Sequence, residues 1–346
     1  MKKLKIFGII FGSLVAFFLI INIIPPSKAV DNNPFIRLES EKTMIAAHRG
    51  GADTNPENTI MAFKSAVNDY QVDILESDLY LTKDGHLVYN HDEYIDETCD
   101  VNGDMTLDEI KKMIDKDATK AHYIKDYTLE ELRQFNFGHF FTNKEGKMPY
   151  HKLVSVNQED RLNILKDKGL QIVEMSELFE TFYQTNKDLM FIVEIKNEGE
   201  EGKKATDKLI STLKDKYPDY LNQIVVGTFH PEIEDYLKEQ YPNILRGAST
   251  KGAAGFVITE MLKVNLFNNN NFACLQIPME YDIKGIEINL SKKMYIKRAH
   301  RRNIAVQYWT INDEDEMKEL IDLGCDAIMS DDLEVCRRVV DTYNPK

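Results

Sequence analysis

Apolar residues in this chain fall into short β-rich runs separated by stretches of helical spacing. The runs are MIAAHR (44–49), VDILESDLYL (72–81), HLVYNH (86–91), LMFIVEIK (189–196), QIVVGTF (223–229), NILRGAS (243–249), GIEINL (285–290), IAVQYWTI (304–311) and DAIMS (326–330). Between the first two, Ile60, Phe63, Val67 and Tyr70 recur with helical periodicity behind an expected N-cap at Asn58. Strand then helix, repeated about eight times in roughly 300 residues, predicts an α/β fold with a parallel sheet closed as a (β/α)8 TIM-type barrel. Nine runs for eight barrel positions leave one as a hairpin partner or no strand at all. An open doubly wound sheet is the competing architecture, but no GxGxxG follows the first run.

One stretch breaks the rhythm. From Asp92 to about Glu174 the chain offers polar, helix-like pieces (Thr106–Met113, Thr128–Phe135) and turn formers but no strand pattern. It reads as a small insertion after an early strand, on the loops that frame a barrel's active site. The tract Asn268–Asn271 reads as a surface loop.

The N-terminus is of a different kind. Ile6 to Ile24 is an uncharged run of 19 residues behind Lys2, Lys3 and Lys5, close to the ~20 residues a helix needs to span a bilayer. The expected division is a cytoplasmic tip and transmembrane helix over 1–29, a linker over 30–42 and the barrel over 43–342, with the insertion at about 92–174. The lysines place the barrel outside the cell membrane in a single-pass topology. Ser27-Lys28-Ala29 leaves a second possibility, a cleaved signal peptide and a secreted product.

Charge narrows the partners. The net charge of −14 disfavours nucleic acid. Cys99, Cys274, Cys325 and Cys336 are widely spaced, with neither a zinc pattern nor a disulfide framework.

Candidate chemistry lies at the ends of the runs. The first ends in His48-Arg49-Gly50-Gly51, the second carries Glu76 and Asp78, the third ends in His91-Asp92 and the fourth in Glu194-Ile195-Lys196. Glu76 and Asp78, like Glu194 and Lys196, are two apart and share a strand face. Singly, each is an ordinary polar position. Together, on inner strands, they amount to buried charge that needs compensation, since an unpaired buried ion costs several kcal/mol. An all-oxygen donor set suits Mg²⁺, Ca²⁺ or Mn²⁺ rather than Zn²⁺. With Arg49 and Lys196, such a cation gives an acidic protein enough local positive charge for a phosphate diester, and two histidines supply an acid and a base.

These blocks, together with Pro56-Glu57-Asn58-Thr59, Ala62-Phe63 and Thr82-Lys83-Asp84-Gly85, resemble the glycerophosphodiester phosphodiesterase family from about Ile45 to Asp331. Thr128–Leu132 and Trp309-Thr310-Ile311-Asn312 extend the likeness. The resemblance implies a metal on Glu76, Asp78 and Glu194, acid–base catalysis by His48 and His91, and phosphate binding by Arg49 and Lys196. Glu57 either joins the metal shell or supports its loop. Trp309 either walls the alcohol pocket or packs in the core. Two departures stand out: an insertion between Asp92 and Glu174 longer than in the family's shortest forms, and Ser330-Asp331-Asp332-Leu333 where the family has Thr-Asp-x-Pro.

The expected function is therefore metal-dependent hydrolysis of a glycerophosphodiester, or of glycerophosphate polymer in a cell envelope, to glycerol phosphate and an alcohol. The N-terminal helix makes the membrane its other partner. Rival readings are a phospholipid-cleaving relative that leaves a cyclic phosphate, and a non-catalytic barrel that binds envelope polymer.

Overall fold

The computed structural model describes residues 2–38, 40–153 and 157–344; the side chains of residues 2–5, 8, 283 and 286 lie outside that description. Eleven strands are present among the described residues: β1 (Met44–Ala47), β2 (Ile74–Leu81), β3 (Leu87–Tyr89), β4 (Met190–Ile195), β5 (Ile224–Gly227), β6 (Leu245–Arg246), β7 (Cys274–Ile277), β8 (Glu280–Ile283), β9 (Ile286–Asn289), β10 (Ala305–Tyr308) and β11 (Ala327–Ser330). Eight run parallel in the order β6-β5-β4-β2-β1-β11-β10-β7. The ends meet: Gly247 bridges Cys274 in parallel, and Ala273 N donates to Arg246 O at 2.7 Å. The architecture is a parallel, nearly closed eight-stranded barrel of the TIM type.

Seven of the nine runs supply barrel strands. HLVYNH gives β3, which folds back antiparallel on β2, and GIEINL gives β9, which pairs only with β8. The eighth barrel strand is β7, Cys274–Ile277, which carries Gln276 in mid-strand and follows the asparagine tract. Four residues with a polar centre show neither alternation nor an apolar run, so pattern alone passes over them.

Alternation along the strands separates two cores. Ile45, Leu75, Leu79, Val193 and Ile195 face the surrounding helices. Ala46, Ile74, Met190, Ile192, Val225 and Met329 form a second cluster inside the barrel, sealed by Phe35, which is fully buried. The segment expected as a linker is thus packed across the barrel's N-terminal end. Asn33 Nδ2 donates to Ala273 O and Asn303 O, and Arg37 Nε donates to Cys325 O.

The insertion holds helices Leu107–Lys116 and Leu129–Leu132, each opened by a Thr–Glu capping box, and helix Gln158–Lys168. Val88, Ile95, Cys99, Ile124, Leu132, Phe137 and Ile172 form its own small core. The helix after β1 runs Ile60–Asn68, and its cap is Thr59, whose hydroxyl accepts from Ala62 N. Asn58, expected as the cap, instead takes φ +55° and is buried. All four cysteines are buried and unpaired.

The N-terminal apolar run lies in a helix, Lys2–Ile23, that exposes Ile6, Phe7, Ile9 and Phe11 among others. Among the described residues, no helix is long and apolar enough to cross a membrane. The undescribed side chains at 2–5 and 8 belong to this helix.

Phe35 generates a prediction. Phe35→Ala removes the stopper from the lower barrel and should cost about 3–5 kcal/mol of stability, read from urea-denaturation midpoints. A change under about 1 kcal/mol would show that the lower core closes without it.

Candidate active site

In a strand of period two, the residues above a luminal apolar position are also luminal. Above Ile74 stand Glu76 and Asp78; above Ile192 stands Glu194, followed by Lys196. Register sets Asp78 directly beside Glu194 on neighbouring strands. The acids therefore crowd at the C-terminal end of the same lumen whose lower half is apolar.

His48 and Arg49 leave β1 in a tight turn. Arg49 takes φ +51°, a left-handed conformation that side chains seldom adopt, and its N–H donates to Glu76 Oε2 at 2.9 Å. Gly50 and Gly51 follow at φ +83° and +94°. A Cβ on Gly51 would lie 2.5 Å from Leu333 Cδ1, so the helix after β11 can pack against this turn only if it is glycine. The turn aims the Arg49 guanidinium at Glu57, with Nη1 to Oε2 at 3.1 Å, while Nε is buried with no protein partner. Glu57 is thus placed as Arg49's counter-ion.

Lys196 Nζ sits between Asp78 Oδ1 at 3.3 Å and Glu194 Oε1 at 3.4 Å. Burial works against its charge, but the two carboxylates hold it protonated. One ammonium does not satisfy three acids. Burial and the Asp78 charge push Glu76 up to about 8, and burial with Asp78 pushes Glu194 up to about 7 despite Lys196. Asp78 Oδ2 is buried with no hydrogen-bond partner.

Both histidines are oriented by carboxylates. His48 Nδ1 lies 2.7 Å from Asp331 Oδ1, and His91 Nδ1 lies 3.1 Å from Asp92 Oδ1. When Nδ1–H donates to the carboxylate, Nε2 is the nitrogen left for proton transfer. Burial alone would lower the His48 pKa; the Asp331 hydrogen bond and the Glu76 and Asp331 charges outweigh it and raise the value. Asp331 is itself fixed by Asn312, which donates from Nδ2 to Oδ2 at 3.0 Å and accepts from the Asp331 N–H at 2.9 Å.

Trp309 stands just beyond β10, its N–H donating to Ile277 O, and is 37% exposed, so it belongs to the rim and not to the core. The structure thus places His48, Arg49, Glu57, Glu76, Asp78, His91, Glu194, Lys196 and Trp309 on the strands and adjoining loops of one rim. Asp331 and Asp92, which contact the two imidazoles, and Asn312, which fixes Asp331, carry no role in the expectations drawn from the sequence. Asp331 carried a usable signal: it directly follows a barrel strand. Among the described residues, three potential ligand atoms within 4.8 Å of one another occur at Glu198, His230 and Glu232, not at Glu76, Asp78 and Glu194. In the latter group Lys196 lies between two of the acids.

The fold and rim define a (β/α)8 barrel with acids, cations and imidazoles gathered at its C-terminal mouth, where enzymes of this architecture hold their active sites. The model of the glycerophosphoryl diester phosphodiesterase family matches residues 48–335, and the chain belongs to that family. Among curated relatives, the glycerophosphodiester phosphodiesterase of Caldanaerobacter subterraneus subsp. tengcongensis is 26% identical over 301 residues, covering 86% of this chain and 98% of its own. The fold is shared with a putative glycerophosphoryl diester phosphodiesterase of Silicibacter pomeroyi (TM-score 0.65, 15% identity, 90% of this chain and 98% of that one). It is shared too with an Oleispira antarctica phosphodiesterase in complex with the product sn-glycerol-3-phosphate (TM-score 0.60, 21% identity, 87% and 98%).

The Asp331–His48 contact is directly testable. Asp331→Asn removes the charge that raises the imidazole pKa, so His48 should titrate at lower pH than in the wild type, followed by ¹⁵N NMR of the ring. An unchanged titration would refute the pairing.

Proposed function

We propose that this protein is a metal-dependent glycerophosphodiester phosphodiesterase, held on the outer face of the cell membrane by its N-terminal helix. The observation that carries the reading is the crowding of Glu76, Asp78 and Glu194 in one lumen, with surplus negative charge and the unpartnered Asp78 Oδ2. Those three carboxylates would hold a hard divalent cation, Mg²⁺, Ca²⁺ or Mn²⁺. A cation there would draw electron density from a bound phosphodiester oxygen and offset the charge that builds up as the bond breaks.

The chain's own groups supply the rest. Arg49, with Nε unpaired, and Lys196 donate to the phosphate oxygens and orient the diester. His48, made more basic by Asp331, takes the proton from the attacking water or hydroxyl. His91 gives its proton to the departing alkoxide. Trp309 offers an aromatic wall to the alcohol. Family membership and relatives bearing the phosphodiesterase name support the substrate class. The glycerol phosphate held by the Oleispira protein supports glycerol phosphate as the product. The membrane location rests on the uncharged run Ile6–Ile24 behind three lysines. On that reading the barrel is extracytoplasmic, and cleavage after Ala29 would release it.

Glu76→Gln, Asp78→Asn and Glu194→Gln should each abolish turnover of glycerophosphodiesters and lower the metal bound per chain, with far-UV circular dichroism unchanged. Full activity after chelation and dialysis would overturn the metal assignment.

His48→Ala and His91→Ala should each lose about 10²–10⁴-fold in kcat while still binding metal and diester. A nitrophenyl diester, whose alcohol leaves without a proton, should rescue His91→Ala and not His48→Ala. Rescue of the other variant would exchange the two roles, and wild-type kcat in both would remove them from the chemistry.

A further inference from the structure

The N-terminal helix meets the barrel at a definite place. Asn22 Nδ2 donates to Lys263 O, Arg298 Nη2 donates to Asn22 Oδ1, and Arg301 donates to the carbonyls of Asn22 and Ile24. These partners end the helices Thr250–Met261 and Lys293–Arg301, which precede β7 and β10. In a barrel of parallel strands, helices descend antiparallel to them, so helix ends lie at the N-terminal mouth, opposite the catalytic rim.

The surface beside this junction is unlike the rest of the protein. Ile258, Met261 and Leu262, spaced three and four apart on one helix face, and Phe267 just after them are 55–62% exposed. Four large apolar side chains open to water in one place call for a partner. Charge specifies its kind. The lower ends of these two helices and the adjoining N-terminal segment carry Lys28, Lys263, Lys297, Arg298 and Arg301 against the acids Asp31 and Glu260, in a protein of net −14. Glu260 is fully buried and paired with Arg298. Lys263, Lys297 and Arg301 are exposed.

We propose that this face lies on an anionic lipid bilayer, with Ile258, Met261, Leu262 and Phe267 entering the interface and Lys263, Lys297 and Arg301 among the headgroups. The proposal rests on the anchor reading, because the helix Lys2–Ile23 delivers this corner of the barrel to the membrane. Apolar side chains flanked by basic ones are the composition of interfacial segments, which settle about 5–10 Å into the headgroup and acyl boundary. The consequence is an orientation. With the N-terminal mouth against lipid, the rim of His48, His91 and Trp309 points away from the bilayer, so its substrate is a soluble or envelope-borne diester and not a phospholipid of that membrane.

The test uses the full chain reconstituted into vesicles of phosphatidylcholine and phosphatidylglycerol, with an environment-sensitive fluorophore on Leu262→Cys. The four native cysteines are buried, and the chain's only tryptophan, Trp309, reports the rim independently. Shallow doxyl-lipid quenchers should dim the fluorophore more than deep ones and leave Trp309 untouched. A fluorophore that escapes quenching on chains that float with the vesicles overturns the docking face and spares the anchor. Quenching of Trp309 overturns the orientation. A chain that does not float at all overturns both the anchor and the docking face. As a second variant, Leu262→Glu with Phe267→Glu should still float and still turn over soluble diester at the wild-type rate, yet lose the quenching at a label on Met261→Cys. Quenching that persists in that variant counts against the patch.

Discussion

The constraint on which the active site depends is the confinement of three carboxylates in one barrel lumen. Alternation along β2 and β4 leaves no choice of side: if Ile74 and Ile192 are to fill the lower core, Glu76, Asp78 and Glu194 must rise into the same channel. Burial disfavours each charge and like charges repel, and the raised pKa values of Glu76 and Glu194 express burial first and the neighbouring Asp78 charge second. The surrounding features act as partial remedies. The Arg49 N–H donates to Glu76 from a left-handed backbone, Lys196 lies between Asp78 and Glu194, and the adjacent glycines let the turn sit close beneath the helix that follows β11. A turn held in so unfavourable a conformation persists because the charges around it need that N–H where it is.

The parts of this arrangement that could be read from the chain are those governed by local periodicity. Spacing of two puts Glu76 with Asp78 and Glu194 with Lys196, and the end of the first strand puts His48 on their rim; His91 reaches it by another route, because β3 folds back antiparallel on the upper part of β2 and returns to the rim, where Asn90 N donates to Asp78 O. Features set by tertiary contact were harder to read. β7 is recognisable only because β6 and β10 flank it in space, since CLQI has no amphipathic signature of its own. GIEINL has a good strand pattern and forms a strand, but a nearby partner, β8, takes it out of the barrel. Asn58 looks like a helix cap, yet Thr59 caps the helix and Asn58 takes the left-handed turn before it. Asp331 looked like a variant strand ending, and its role is visible only once β11 is seen to lie beside β1, which brings it to His48.

The N-terminal segment links the two ends of the molecule physically. Phe35 closes the lower lumen, and Asn33 and Arg37 fix the chain across the mouth through backbone carbonyls of the loops that lead into β7, β10 and β11. A flexible tether would let the barrel tumble above a membrane. This segment is short and hydrogen-bonded, so the orientation of the barrel is coupled to that of the helix that precedes it.

The placing of charge bears on how an acidic protein handles an anionic substrate. Basic residues near the N-terminal helix lie at the mouth opposite the catalytic rim, and the cations at the rim are engaged: Arg49 with Glu57, Lys196 with Asp78 and Glu194. Neither set steers a diester from a distance, because exposed charges are screened beyond about 8–10 Å at ordinary ionic strength. Attraction for the phosphate must therefore be local. It arises inside the lumen, where low dielectric strengthens each contact and where Arg49 Nε, buried and unpaired, becomes satisfied when an anionic oxygen reaches it. On the proposed function, binding and catalysis draw on the same groups, and the acids that make the lumen costly to fold are also the groups that would hold a cation there.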